Sequence, residues 1–130
     1  ISDWEGRLNT SQNNRALTGF WIESSLAVSP KEQAEVMERI FGEDSIYKKQ
    51  TQRELKKVML VEQEQTDASI YGKTGMGMDQ GIVVDAWFSG FAGKGGRQIY
   101  FCVYLGRTDG ADVTSAAAKE IAVRLVADYF

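Results

Sequence analysis

The hydrophobic pattern of the first half of the chain predicts two amphipathic helices. Ser29 and Pro30, with Glu32 three residues after the serine, are typical of a helix start, and Gly42 is typical of a helix end. The inward face of this helix is predicted to carry Ala34, Met37, Ile40 and Phe41. A second helix is predicted from about residue 47 to 62. Its predicted inward residues are Thr51, Leu55, Val58 and Met59.

From Ala68 onwards apolar and polar residues alternate, which is typical of β-strands. We predict strands at Ala68–Tyr71, Val83–Ala92 and Ile99–Leu105, with a glycine-rich hairpin connection at Gly93–Gly96. Both faces of the third run are apolar, so we predict that this strand is central and covered on both sides. A last helix is predicted from Ser115 to Tyr129. Its predicted inward residues are Ala118, Ile121, Ala122, Leu125 and Val126.

These elements predict an α+β fold with an antiparallel sheet of about three strands, two helices before it and one after. The chain has 130 residues, about the length of one domain. Because it starts on Ile1 and not on methionine, we expect a single partial domain of a longer protein. Residues 1–62 would form a loop and a helical part, and residues 63–130 the sheet and the last helix.

Composition excludes several kinds of function. Fifteen basic and eighteen acidic residues give a net charge of −3, which argues against a nucleic-acid surface. The chain has no histidine and one cysteine, so it cannot hold a Ser–His–Asp set, and we expect neither a metal site nor a cofactor. Cys102 lies in an apolar run and is predicted to be a small core residue.

The segment Tyr71–Gly77 is the strongest candidate for chemistry. It combines three glycines with the ammonium of Lys73 and the hydroxyl of Thr74, a set that suits an anion such as a carboxylate. A plain turn that leaves a strand explains the same residues. A phosphate-binding loop does not, because that motif requires a glycine at position 67, which is Asp67.

Four blocks, in order and spacing, resemble class D (oxacillinase-type) serine β-lactamases. They also resemble the penicillin-sensor domains of bacterial β-lactam signal transducers, which share that fold. The blocks are Phe20–Leu26, Ser29–Gln33, Tyr71–Gly75 and Ala86–Phe91. The resemblance implies the C-terminal part of the serine β-lactamase/transpeptidase-like fold and a location outside the cytoplasm.

The resemblance implies roles for five residues of this chain. Lys73 would lend positive charge to the proton relay, and the backbone N–H of Met76 would be one of two oxyanion-hole donors. Thr74, with Gly75 beside it, would bind the β-lactam carboxylate. Trp21 matches the tryptophan beside the carboxylated lysine of class D enzymes, although a plain core aromatic explains it equally well.

The nucleophile of the family is not found in this sequence. The family reacts through the serine of a Ser-x-x-Lys motif, followed by Ser-x-Val and Tyr-Gly-Asn. Neither of the last two occurs here, and Ser45–Lys48 is the only Ser-x-x-Lys. Because Ser45 follows the Phe20–Leu26 block instead of preceding it, we interpret Ser45 as a helix cap. Ala118 aligns with an arginine that anchors the substrate in many class D enzymes.

We therefore expect the isolated chain to be inactive and its parent to react with β-lactams. A β-lactamase that hydrolyses them through an acyl-serine is the first hypothesis. A penicillin sensor that keeps the acyl group is the second, and a non-catalytic scaffold is the third. Partners would be the β-lactam, together with the missing N-terminal half, and the exposed core surface would favour self-association.

Overall fold

The computed structural model describes residues 28–108 and 113–130, so the Phe20–Leu26 block with Trp21 lies outside the described residues. The described elements are three helices and three strands. They are α1 (Pro30–Phe41), α2 (Lys49–Met59), β1 (Ser69–Asp79), β2 (Ile82–Lys94), β3 (Arg97–Gly106) and α3 (Ser115–Tyr129). The strands form one antiparallel sheet in the order β1-β2-β3. This confirms the predicted α+β fold, with two helices before the sheet and one after.

Helix α1 begins and ends where the sequence predicts. The Glu32 N–H donates to the Ser29 hydroxyl at 3.2 Å, and the Ser29 N–H donates to the Glu32 carboxylate at 2.8 Å. These two bonds form a capping box. The hydrogen bonds that the Ser29 N–H and the Ser29 hydroxyl donate to the Glu32 carboxylate hold its pKa below its usual value. Met37 and Phe41 are buried on the predicted inward face, and the helix ends at Gly42.

The central strand is β2 and not the Ile99–Leu105 run, so that prediction is wrong for the described residues. β3 pairs with β2 along one edge, and no strand within residues 28–108 and 113–130 pairs with its other edge. Helices α1 and α3 nevertheless contact β3 from opposite faces, as its apolar pattern requires. The apolar pattern of a strand predicts correctly that both of its faces are covered, but it does not predict which of its edges pair with another strand.

Two layers of helix cover the sheet. On one face Met37 and Phe41 of α1 pack against Phe91 of β2, and the Phe41 and Phe91 ring centroids are 4.4 Å apart. On the other face α3 packs against a core that includes Ile70 and Phe88. None of the helices in these described parts of the chain has the length and apolarity needed to cross a membrane.

Helices α2 and α3 bury other residues than the pattern predicts. In α2, Thr51, Leu55 and Val58 are exposed, Val58 at 81%, while Gln52 is buried and its amide donates to the Ile40 carbonyl at 2.8 Å. In α3, Ile121 and Leu125 are exposed. The buried stripe of α3 consists of smaller side chains, which let the helix lie close to the sheet. They are Ala118, Ala122, Val123 and Val126.

Glycines let β1 and β2 approach more closely than side chains would allow. A Cβ atom at Gly72 would overlap the ring of Phe88, and one at Gly90 would overlap the Tyr71 carbonyl oxygen. Since Gly72 and Gly90 face each other in the ladder, the two strands meet here with no side chain between them. This contact fixes β1 just before its candidate functional residues.

We predict that Gly90→Ala destabilises the fold by about 3 kcal/mol or more, because the new methyl group meets backbone that cannot move aside. Gly93→Ala, in the same strand, is the matched control, since its Cβ would lie 3.5 Å from the Arg97 carbonyl oxygen, an ordinary contact. Urea unfolding followed by circular dichroism measures both. Equal stability of the two variants would contradict the close approach.

Cys102 is half-buried in β3, and burial raises the pKa of its thiol from 9.0 to about 11. Near pH 8 the reactive thiolate should therefore be about 100-fold scarcer than in an ordinary cysteine. We expect the thiol to react with Ellman's reagent correspondingly slowly, faster as the pH rises towards 11, and at the normal rate in concentrated urea. Fast reaction of the folded chain near pH 8 would contradict this.

Candidate functional site

The Lys73–Gly75 tripeptide lies within a strand, so both the predicted end of the strand at Tyr71 and the turn interpretation are wrong. β1 runs from Ser69 to Asp79, and its pairing with β2 continues through the tripeptide. The reason is the length of β2, which supplies a ladder partner for each residue of β1. Glycines do not end a strand where the neighbouring strand provides both the hydrogen bonds and the covering side chains.

Backbone hydrogen bonds show which residues of β1 face the open edge of the sheet. The Val61 N–H donates to the Ile70 carbonyl at 2.9 Å, and Leu60 forms an isolated bridge with Tyr71, so the Ile70 carbonyl points away from β2. The backbone N–H and C=O groups of successive residues point to alternate edges of a strand. Those of Thr74 and Met76 therefore point away from β2, like those of Ile70. The Met76 N–H thus projects from the edge of β1 that faces away from β2.

Lys73 and Thr74 are linked directly. The Lys73 ammonium donates to the Thr74 carbonyl at 2.6 Å and lies 3.4 Å from the Thr74 hydroxyl. Lys73 is exposed, and within residues 28–108 and 113–130 it forms no ion pair with a carboxylate. Its positive charge is therefore available to an anion that approaches the strand.

The β2 residue that pairs with Lys73 is buried and polar. Ser89 is 6% exposed, and its hydroxyl lies 3.4 Å from the Gln33 side-chain amide on α1. This contact joins α1 to the sheet on the face to which Lys73 belongs. Gln33, the last residue of the Ser29–Gln33 block, thus helps to place α1 beside the candidate site.

Two residues that the sequence analysis did not select, Asp85 and Trp87, flank the site. The Asp85 carboxylate accepts the Gly77 N–H at 2.8 Å and the Trp87 indole N–H at 3.1 Å. Trp87 pairs with Gly75 across the ladder, and its ring centroid lies 4.6 Å from that of Tyr104. One feature of the sequence could have identified Asp85. It is an aspartate within an apolar strand, where a charged group requires hydrogen-bond partners.

The other residues singled out in the sequence do not join this site. Ala118 is fully buried against the sheet, so its position carries a core methyl group. The Ser45 hydroxyl donates to the Ile40 carbonyl at 2.7 Å and accepts the Tyr47 N–H at 3.2 Å. Ser45 is thus a turn residue and not the helix cap that we predicted, since the N-cap of α2 is Lys48. Its proton is engaged with a backbone carbonyl, which does not suit a nucleophile.

The arrangement on β1 can bind an anion and stabilise developing negative charge. Lys73 supplies a cation, Thr74 a hydroxyl, and Met76 an outward N–H beside them. No group of three residues able to hold a metal ion occurs in the described parts of the chain. A nucleophile with an adjacent base is likewise not among the contacts of residues 28–108 and 113–130.

Comparison with known proteins agrees with this architecture. β-Lactamase OXA-1 of Escherichia coli is 30% identical over 118 residues, which are 88% of this chain and 43% of the relative. Regulatory protein BlaR1 of Staphylococcus aureus is 26% identical over 95 residues, 73% of this chain and 16% of that protein. The crystal structure of a class D β-lactamase from Bacillus subtilis superimposes with a TM-score of 0.66 and 29% identity, covering 89% of this chain and 47% of that one.

These findings confirm the resemblance to class D β-lactamases and to penicillin sensors. The chain spans less than half the length of the relatives named here. The family model described as the penicillin-binding protein transpeptidase domain matches residues 5–127, nearly the whole sequence. This chain therefore belongs to the penicillin-binding protein transpeptidase domain family.

Proposed function

We propose that this chain is the C-terminal portion of a serine-reactive, β-lactam-binding protein, and that β1 is its share of the binding site. The observation that carries the proposal is the juxtaposition on one strand of the Lys73 ammonium, the Thr74 hydroxyl and the outward Met76 N–H. A β-lactam offers a carboxylate for the first two groups and a carbonyl oxygen for the third. Gly75, between them, lets the ligand approach the backbone.

In this proposal the three groups divide the work. Lys73 and Thr74 bind the carboxylate, and Lys73 also favours proton transfer by its positive charge. The Met76 N–H stabilises the oxyanion of the tetrahedral intermediate, where loss of one donor typically slows the reaction by about 100- to 1,000-fold. The serine nucleophile, its lysine base and the second oxyanion donor come from the part of the relatives that this chain does not cover.

Hydrolysis of the β-lactam is the first candidate activity of the complete protein, because a β-lactamase is the relative with 30% identity over most of this chain. The BlaR1 similarity supports a second candidate, a sensor that is acylated and not turned over. The two differ in the rate at which the acyl-serine is hydrolysed. Either activity would operate outside the cytoplasm.

We predict that the complete protein, mixed with a slight excess of a penicillin, gains the mass of one penicillin, while the 130-residue chain alone gains none. Among residues 28–108 and 113–130 no nucleophile lies beside a base, and Ser45, the serine of the only Ser-x-x-Lys in the sequence, is bonded to backbone. A time course of intact mass measures both. An adduct lost within minutes identifies a β-lactamase, and one stable for hours identifies a sensor.

The same time course tests the site. Lys73→Ala in the complete protein should slow acylation by about 100-fold, since it removes the cation from the relay. Lys57→Ala is the matched control, because that lysine is exposed on α2 and pairs only with Glu54 among the described residues. Acylation of the isolated chain, or an undiminished rate in Lys73→Ala, would refute the assignment.

We also propose that the isolated chain self-associates through the edge of β3 that faces away from β2, which pairs with no strand in the described part of the chain. Arg97–Gly106 presents ten residues without a proline, and its central residues are apolar or aromatic, with no charge to block pairing with another strand. In the complete protein this edge would pair with the N-terminal half.

Sedimentation velocity should accordingly show dimers or larger species of the isolated chain. Tyr104→Lys, which places a charge on the exposed edge strand, should shift the chain towards monomer. Tyr47→Lys is the matched control, because Tyr47 is similarly exposed but lies in the loop before α2. If wild type is a monomer with a cooperative melt, the chain is an autonomous domain and the proposal fails.

A further inference from the structure

The β1–β2 ladder is disrupted next to the proposed oxyanion donor. Their register shifts between Gly77 and Met78, one residue beyond Met76. Such an irregularity loosens the regular backbone pairing of a strand. At this point the Asp85 carboxylate accepts the Gly77 N–H at 2.8 Å, so a side chain supports the backbone where the ladder weakens.

The same carboxylate oxygen reaches a second partner. Oδ1 of Asp85 also accepts the Trp87 indole N–H at 3.1 Å, which fixes the indole on this face of the sheet. A Cβ atom at Gly75 would lie 3.6 Å from the Cβ of Trp87 and within 4 Å of no indole atom, so Trp87 meets Gly75 as its ladder partner and the ring lies elsewhere. The two neighbours of Met76 are therefore held in different ways, Gly75 by ladder pairing with Trp87 and Gly77 by the Asp85 carboxylate.

Gly77 and Asp85 fit each other closely. A Cβ atom at Gly77 would lie 2.6 Å from Oδ1 of Asp85, closer than such atoms approach. Only glycine thus permits the carboxylate to reach the backbone N–H at this position. The bond to Gly77 is charge-assisted, which makes it stronger than a bond between neutral groups.

We propose that Asp85 is a positioning residue for the Met76 N–H. Its carboxylate holds the Gly77 N–H, directly after Met76 and where the ladder changes register, and so keeps the Met76 amide directed at the developing oxyanion. Asp85 itself is bonded to Gly77 and Trp87, and the proposed function assigns neither residue to substrate binding. The inference rests on that function, because it takes Met76 as the oxyanion donor.

The test compares Asp85→Ala and Asp85→Asn in the complete protein. Alanine removes both bonds, so the acylation rate constant should fall by about 10-fold or more, towards the roughly 100- to 1,000-fold typical of a lost donor. The dissociation constant of the non-covalent penicillin complex should stay within about 3-fold, because Lys73 and Thr74 are untouched. Asparagine keeps an oxygen acceptor for both N–H groups, so its rate should stay within about 3-fold of wild type.

Two controls separate positioning from a general loss of structure. Asp79→Ala removes an exposed carboxylate from the end of the same strand and should react at the wild-type rate. Trp87→Phe removes the indole N–H but keeps the Asp85 bond to Gly77, and should slow acylation less than Asp85→Ala. Undiminished acylation of Asp85→Ala, an asparagine variant as slow as the alanine one, or a penicillin affinity that falls together with the rate would each overturn the proposal.

Amide hydrogen exchange distinguishes failure of this proposal from failure of the proposed function. In Asp85→Ala the Gly77 amide should exchange faster than in wild type, and in Asp85→Asn it should not. If wild-type protein is never acylated, the β-lactam function and the catalytic part of this inference fall together. If wild type is acylated and Gly77 exchange is unchanged in Asp85→Ala, the positioning role alone is wrong.

Discussion

The close approach of β1 to β2 at Gly72 and Gly90 is the constraint on which the site depends. With no side chain between them, the ring of Phe88 fills the space beneath Gly72, and β1 lies flat against its neighbour. The next residues of β1 inherit this placement, since a strand is stiff over so short a length. The positions of Lys73, Thr74 and Met76 therefore depend on packing at Gly72 and Gly90, in which these three residues take no part.

Most of the fold could be predicted because its signals are local. The capping residues Ser29 and Glu32 predicted the start of α1 correctly. The alternation of apolar and polar residues predicted the positions of β2 and β3 to within a few residues. Errors arose where a distant partner decides the outcome. Gln52 is buried because its amide reaches the end of α1, and Leu125 is exposed because α3 approaches the sheet through alanines. Neither fact can be deduced from periodicity.

The site was predictable in part for the same reason. Lys73 to Met76 are consecutive, so their proximity follows from the sequence, and the resemblance supplied their roles as hypotheses. Asp85 and Trp87 were not selected, because their relation to Gly75 and Gly77 exists only once β1 and β2 are in register. A pairing register depends on two strands together, and a motif search reads one segment at a time.

The alternation of amide directions along β1 also limits how the length of this region can vary among relatives. Inserting or deleting one residue between Ile70 and Lys73 would turn the Met76 N–H towards β2 and into the ladder, and would exchange the faces on which Lys73 and Thr74 lie. The hairpin tip at Gln80 and Gly81, beyond the register shift, is free of this limit. Length differences should therefore collect at the tip, and residues 70–76 should align without gaps.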